Sequence, residues 1–100
     1  MAKARAARTG TSAGRGSTGV KAYVLIETAA GKSKAVKKGF TKIRPSGTTV
    51  VRLDAVTGPF DFIAMVEGAS LDAIGRLVTD VIGTIDGVTR TTTCVAMTIA

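Results

Sequence analysis

Up to residue 19 apolar positions follow no period; from Val20 onward they arrive in blocks whose spacing alternates in a regular order. The block VKAYVLIE (Val20–Glu27) is β-branched and aromatic, with apolar residues on both alternating faces at Ala22, Tyr23, Val24, Leu25 and Ile26, and predicts a strand. TAAGKSK interrupts it, with Gly31 as the turn. Ala35, Val36, Phe40 and Ile43 then recur at helical spacing with lysines between them, predicting an amphipathic helix of roughly 11–13 residues. Gly39 inside that helix carries an expected cost of about 1 kcal/mol relative to Ala, and Pro45, Ser46 and Gly47 end it. A second strand is predicted over Thr48–Thr57 and a third over Phe60–Glu67, joined by Gly58-Pro59 as a two-residue hairpin turn. Ser70 suits a helix N-cap, with Asp72 in the first turn, where a negative charge favours the helix dipole. Leu71, Ile74, Leu77, Val78, Val81, Ile82 and Ile85 then form the clearest helical stripe in the chain. Asp86-Gly87-Val88 turns, and Thr89–Thr98 reads as a last strand rich in Thr and Val.

The order is therefore β-α-β twice, an α+β chain. Crossover handedness folds such a chain into a ferredoxin-like βαββαβ domain, one four-stranded antiparallel sheet with both helices on one face. Two helices cover only one side of a sheet, yet the strands are apolar on both: Val51, Leu53 and Ala55 against Val50 and Val56, and Phe62, Ala64 and Val66 against Ile63 and Met65. An uncovered apolar face of that size is an association surface. A second copy packing sheet against sheet, as a dimeric α/β barrel, is the economical cover.

Composition narrows the chemistry. One hundred residues make one domain, with no apolar run long enough to span a bilayer and no signal-peptide pattern, so a cytoplasmic chain with no membrane association is expected. The one cysteine, Cys94, cannot make an internal disulfide and fits a reducing compartment; its setting in a strand predicts a small buried hydrophobe rather than a nucleophile. With no histidine and one cysteine, neither a zinc-type metal cluster nor the commonest general base can be built, and no cofactor is expected. Composition weighs against an enzyme. The net charge of +7 is uneven: residues 1–19 contribute +4 through Lys3, Arg5, Arg8 and Arg15, and the rest +3. Residues 1–19 are expected to be a disordered basic tail, since so few apolar groups cannot offset ordering entropy. It reads as a solubilising tail or a mis-assigned start upstream of Val20; the alternative is a weak electrostatic arm for nucleic acid. Lys32, Lys34, Lys37, Lys38, Lys42 and Arg44 form a basic patch on the first helix, either a solvated face or a surface for RNA, DNA or an acidic partner. No stacking aromatics or R/K-G-F-x-F type motif accompany it.

VKAYVLIETAAGK, DAVTGPFDFIAMVE and IDGVTRTTTCV, with their spacing, resemble the effector-binding domain of the Lrp/AsnC family of feast/famine transcriptional regulators. The resemblance runs from about Val20 to Ile99, so that residues 20–100 are read as the ligand-binding (RAM) domain. Its most specific parts are Val56-Thr57-Gly58-x-Phe60-Asp61, similar to a V-T-G-x-Y/F-D hairpin, and Gly87-Val88 followed by Thr91-x-Thr93, similar to a closing G-V-x-x-T-x-T strand. Regulators of this family carry a helix-turn-helix, whose three apolar-faced helices cannot be made from residues 1–19. The chain thus resembles the stand-alone effector domains, without sequence-specific DNA binding of its own. The resemblance implies sheet-sharing dimers, a ring of four dimers, amino-acid ligands between dimers, and mixed assembly with full-length regulators.

Asp61 then has two readings. It caps a strand end or blocks edge pairing, or it receives the α-ammonium of a free amino acid while backbone N–H groups near Gly58 take the carboxylate. Thr91 and Thr93 alternate onto one face and can offer hydroxyls, although Thr is also simply a good strand former. The resemblance makes Thr57, Gly58, Phe60, Asp61, Thr91 and Thr93 the candidate ligand-binding residues; Phe60 also suits packing at the hairpin or between dimers. The expected function is small-molecule sensing in transcriptional regulation. The alternatives are a barrel enzyme of the monooxygenase or isomerase type, for which Asp61, Asp54, Glu67 and Tyr23 form no defensible acid–base pair, and a purely structural oligomerisation partner.

Overall fold

The computed structural model describes residues 19–99, so the reading of residues 1–19 as a disordered basic tail lies, Gly19 apart, outside the described residues. Strands β1 (Val20–Thr28), β2 (Thr48–Ala55), β3 (Phe62–Gly68) and β4 (Val88–Val95) form one antiparallel sheet in the order β2-β3-β1-β4. Helix α1 (Ser33–Lys42) connects β1 to β2, and a second helical segment, α2, opening at Leu71–Arg76, connects β3 to β4. The ferredoxin-like βαββαβ arrangement expected from the pattern is the one adopted.

The core lies between sheet and helices. Ala22, Val24 and Ile26 of β1 are fully buried with Ala64 and Val66 of β3, and pack with Val36, Phe40, Ile74, Leu77, Ile82 and Ile85 from the helices. Every buried residue described is hydrophobic. Small side chains in the two central strands let the helices sit close, which is how a chain with four aromatic residues fills its interior.

Gly39 faces this core. A Cβ built there would stand 2.5 Å from Cγ2 of Ile85, a residue 9% exposed at the end of the second helical segment. The glycine that propensity marks as a defect is thus where α1 leaves room for the Ile85 side chain. Gly39→Ala gains up to about 1 kcal/mol in helix propensity but overpacks a β-branched neighbour at a cost of about 1–3 kcal/mol. A net loss of about 1 kcal/mol is expected in urea unfolding; a gain would show that Ile85 yields freely.

Helix α2 departs from the stripe read in the sequence. Ser70 caps it as expected, its Oγ accepting from the Ala73 N–H at 3.1 Å, with Asp72 in the first turn. After Arg76 the chain widens to a π turn over Leu77–Val81 and tightens to a 3-10 turn over Ile82–Thr84. The fully inward positions become Ile74, Leu77 and Ile82; the five-residue step from 77 to 82 matches the i→i+5 π turn. Val78 and Val81 consequently pack only partly against the core, and Leu71 remains 58% exposed.

Three further expectations are corrected. The β2–β3 connection is a six-residue loop, Val56–Asp61, rather than a two-residue turn; it is closed by the Val56 N–H donating to the Asp61 carbonyl at 3.0 Å. Strand β2 is not apolar on both sides. A bulge between Val50 and Arg52 lets Val50 and Leu53 both pack against the core, while Arg52 and Asp54 take the open side as a 2.9 Å ion pair. Cys94 is exposed, not buried, because it pairs with Tyr23 on the side the helices leave open.

Candidate functional site

Two of the candidate residues, Asp61 and Thr91, lie beside the end of β1. Beyond the Ile26–Phe62 pair β3 no longer accompanies β1, so the Thr28 N–H has no strand partner on that side. Asp61 fills the place: its backbone N–H donates to the Ile26 carbonyl at 2.8 Å, and its Oδ2 accepts from the Thr28 N–H at 2.7 Å. The carboxylate thus ties the hairpin loop to the central strand, a charge-assisted bond in a half-buried setting. The strand-end reading of Asp61 is met directly. Its Oδ1 has no hydrogen bond among the described residues and is the atom left for a cation.

On the other side of β1, Thr91 pairs with Ile26 and Thr93 with Val24, so both lie toward the helix side of the sheet as the alternation required. Thr91 is half-buried and Thr93 exposed. With β1 between them, the Asp61 loop and Thr91 stand two strand spacings apart, about 10 Å. The β1–β4 register shifts at Glu27/Thr28, where the Thr89 hydroxyl donates to the Glu27 carbonyl at 3.2 Å and Arg90 lies 3.9 Å from the Glu27 carboxylate. The strand pattern of Thr89–Thr98 does not predict this local kink beside the loop, because Thr89 reads as an ordinary strand residue. At the loop, Phe60 is half-buried, whereas Thr57 and Gly58 are exposed. Gly58 has φ +113°, a conformation side chains rarely adopt, with open space around it. Asp61 and Thr91 are therefore brought to the same strand end, while Thr57 and Gly58 project outward from it.

Two other surfaces frame the site. On the open side of the sheet, Tyr23, Leu25, Ile63 and Met65 are contiguous through the Tyr23–Met65 and Leu25–Ile63 pairs. All are half-exposed or more buried than that, and Lys21, Arg52, Asp54 and Glu67 rim them. On the helical side, a groove of about 410 Å³ runs between α1 and the end of α2, lined by Ala35, Lys38, Gly39, Lys42, Asp80 and Ile85 among others. None of the candidate ligand residues lines it. No helix of the described residues is long and apolar enough to cross a membrane.

Comparison with known proteins agrees with this fold. A solved protein from Thermus thermophilus is 27% identical, with a TM-score of 0.69, and the match covers 81% of this chain and 96% of that one. AsnC of Escherichia coli is 20% identical with a TM-score of 0.70, and the transcriptional regulator of Neisseria meningitidis in complex with L-Met is 16% identical with a TM-score of 0.67. These two share the fold over 80% and 79% of this chain, which spans about half their length, 52% and 50%. No curated protein matches the chain. The family model for the Lrp/AsnC ligand binding domain matches residues 21–99, from the second residue of β1 to the end of the described chain. The chain belongs to the Lrp/AsnC ligand binding domain family.

Proposed function

We propose that residues 20–100 form a sensing domain for an amino acid or a closely related small effector, acting without catalysis in transcriptional control in the cytoplasm. The observation that carries the reading is the Asp61 carboxylate, half-buried at a strand end, with one oxygen fixed by Thr28 and the other unengaged. A carboxylate so oriented receives an α-ammonium without first having to be ordered. Open backbone around Gly58 leaves room for the α-carboxylate to meet amide donors, and the Thr91 and Thr93 hydroxyls lie across β1 from the loop. The L-Met held by the Neisseria meningitidis regulator supports this ligand class.

A single copy leaves the loop tip exposed, so the ligand cleft is completed by neighbouring copies: a dimer through the open sheet face, and contacts between dimers around Thr57, Gly58 and Phe60. The half-covered patch of Tyr23, Leu25, Ile63 and Met65, with Tyr23 37% exposed, supports the first contact. Full-length relatives carrying the same domain can enter such assemblies. The enzyme reading loses support from the uniformly hydrophobic layer between sheet and helices, which offers no buried acid or base among the described residues.

The test is calorimetry of the full chain against the twenty amino acids. Asp61→Asn keeps an acceptor for the Thr28 N–H but removes the charge, so binding should weaken by about 1.5–3 kcal/mol, roughly ten- to a hundredfold, with little change in melting. Thr91→Val, which deletes one hydroxyl at constant shape, should cost about tenfold. If no amino acid binds the wild type, or Asp61→Asn binds unchanged, the reading fails.

A further inference from the structure

Lysine dominates the solvent side of α1. Its exposed residues are Ser33, Lys34, Lys37, Lys38, Thr41 and Lys42, and the flanking Lys32 and Arg44 are exposed too. Lys34, Lys38 and Lys42 follow at four-residue steps, a row with a rise of about 6 Å per step on one helix face. No acid stands in the first turn of this helix, where one would suit the dipole, and no side chain caps it. Like charges four residues apart destabilise a helix, so the row opposes folding, offset within the helix only by Lys42 in the last turn, where the dipole favours a cation. The neighbouring α2 layer carries Asp72, Asp80 and Asp86 against Arg76, but of the basic residues on and flanking α1 only Lys32 is ion-paired among the described residues, with Asp86 at 3.5 Å. Arg44 is turned back onto the Thr41 and Ile43 carbonyls at 3.0 and 2.8 Å. Lys34, Lys37, Lys38 and Lys42 form no ion pair among the described residues.

We propose that this face of α1 binds the phosphate backbone of duplex DNA without reading its sequence. Lysine is a compact point charge suited to phosphate, and a row of such charges matches a polyanion better than a compact acidic molecule. Single-stranded RNA or DNA is recognised by stacking on aromatic groups, and this layer has none: Phe40 is 8% exposed, and Tyr23 lies on the opposite side of the sheet. An acidic protein is disfavoured because stable protein interfaces are anchored by aromatic and apolar groups and depleted in lysine, whereas backbone contacts to DNA need only charge and reach. The surface is separate from the Asp61 loop and independent of its ligand. It would hold a sensing domain near DNA that a base-reading partner selects.

The experiment is fluorescence anisotropy of the full chain against a labelled random-sequence duplex over a salt series. Wild type should bind with a Kd on the order of 10⁻⁵ M at physiological salt. Four phosphate contacts contribute about −3.6 to the log–log salt slope, so a fourfold rise in salt weakens their share by about a hundredfold. The quadruple variant K34Q/K37Q/K38Q/K42Q should bind at least about tenfold more weakly at low salt, with the slope reduced by about 3.6; the milder K34Q/K38Q should reduce it by about 1.8. Replacing the same four by Arg should preserve binding. Circular dichroism and melting should be unchanged or improved, since Gln is a comparable helix former and like-charge pairs are removed. The tail variant K3Q/R5Q/R8Q/R15Q separates the two basic regions and should retain most of the affinity. The proposal is overturned if wild type does not bind duplex, if the tail variant loses binding while the α1 variant keeps it, or if single-stranded RNA or polyglutamate competes better than duplex DNA.

Discussion

Gly87→Ala is expected to lower the stability of the domain by about 3 kcal/mol, more than Gly39→Ala because a strained φ adds to the collision. Two independent costs meet at this residue. Its φ is +99°, outside the regions open to L side chains, which costs an alanine about 1–2 kcal/mol. A Cβ there would also stand 2.8 Å from Cβ of Lys32 and 2.9 Å from Cγ2 of Val36. Neither is the far end of a flexible side chain, and Val36 is fully buried, so the collision adds overpacking of about 1–3 kcal/mol. The Gly87 carbonyl meanwhile accepts from the Ala29 N–H at 2.8 Å, which fixes the turn against the end of β1 and prevents the backbone from swinging away. For a domain of this size the loss corresponds to a fall in Tm of roughly 12–24 °C, measurable by differential scanning calorimetry. A shift below about 5 °C would mean that the turn can re-form with a negative φ. The Gly-Val pair that marks the start of the last strand thus has a structural reason of its own, apart from any ligand.

Leu25→Arg should convert the proposed sheet-to-sheet dimer to monomers without unfolding the chain. Leu25 stands at the centre of the open sheet face, between Ile63 on β3 and Thr92 on β4. In one copy this side is only half-covered, so an arginine there can extend its head into water and the sheet is undisturbed. In a sheet-to-sheet dimer the same guanidinium would be trapped against a second apolar surface, and an unpaired buried charge costs about 3–5 kcal/mol. Self-association should then weaken by a factor of a hundred to several thousand. Light scattering after size exclusion reads the mass, and far-ultraviolet circular dichroism verifies the fold. A wild-type chain that is monomeric at high concentration, or a variant that keeps the wild-type mass, would remove the dimer and with it the shared ligand cleft. A monomeric variant that also loses amino-acid binding would support a cleft built from more than one copy.

Period and turn chemistry made the architecture legible in the amino-acid sequence. Alternating apolar residues at Val20–Glu27, the helical spacing of Val36 and Phe40, and Ser70 before a long apolar stripe are local signals, each tied to hydrogen bonds within a few residues. They correspond to β1, α1 and the capped start of α2. The family, too, was legible, because the hairpin and Gly87-Val88-x-x-Thr91-x-Thr93 stretches stand at recognisable spacing, and the match spans residues 21–99.

What the chain alone did not determine depends on contacts between distant segments. The value of Gly39 is invisible locally, where glycine only costs propensity; it follows from Ile85 lying 46 positions further on and needing that space. The π turn in α2 follows from which of Leu77, Val78, Val81 and Ile82 can reach the core once both ends of the segment are fixed by strands. The exposure of Cys94 and of the Arg52–Asp54 pair depends on which side of the sheet the helices cover, and a bulge at Val51 changes that assignment without altering composition. Asp61 shows the division most clearly. Its residue type and its place after Gly58-Pro59 allowed a tether or a ligand contact, and only the meeting of the loop with Thr28, 33 residues away, committed one oxygen to the backbone and left the other unengaged. Local hydrogen bonding and hydrophobic period set the elements; long-range packing, in which each side chain's worth depends on its neighbours, set what those elements present.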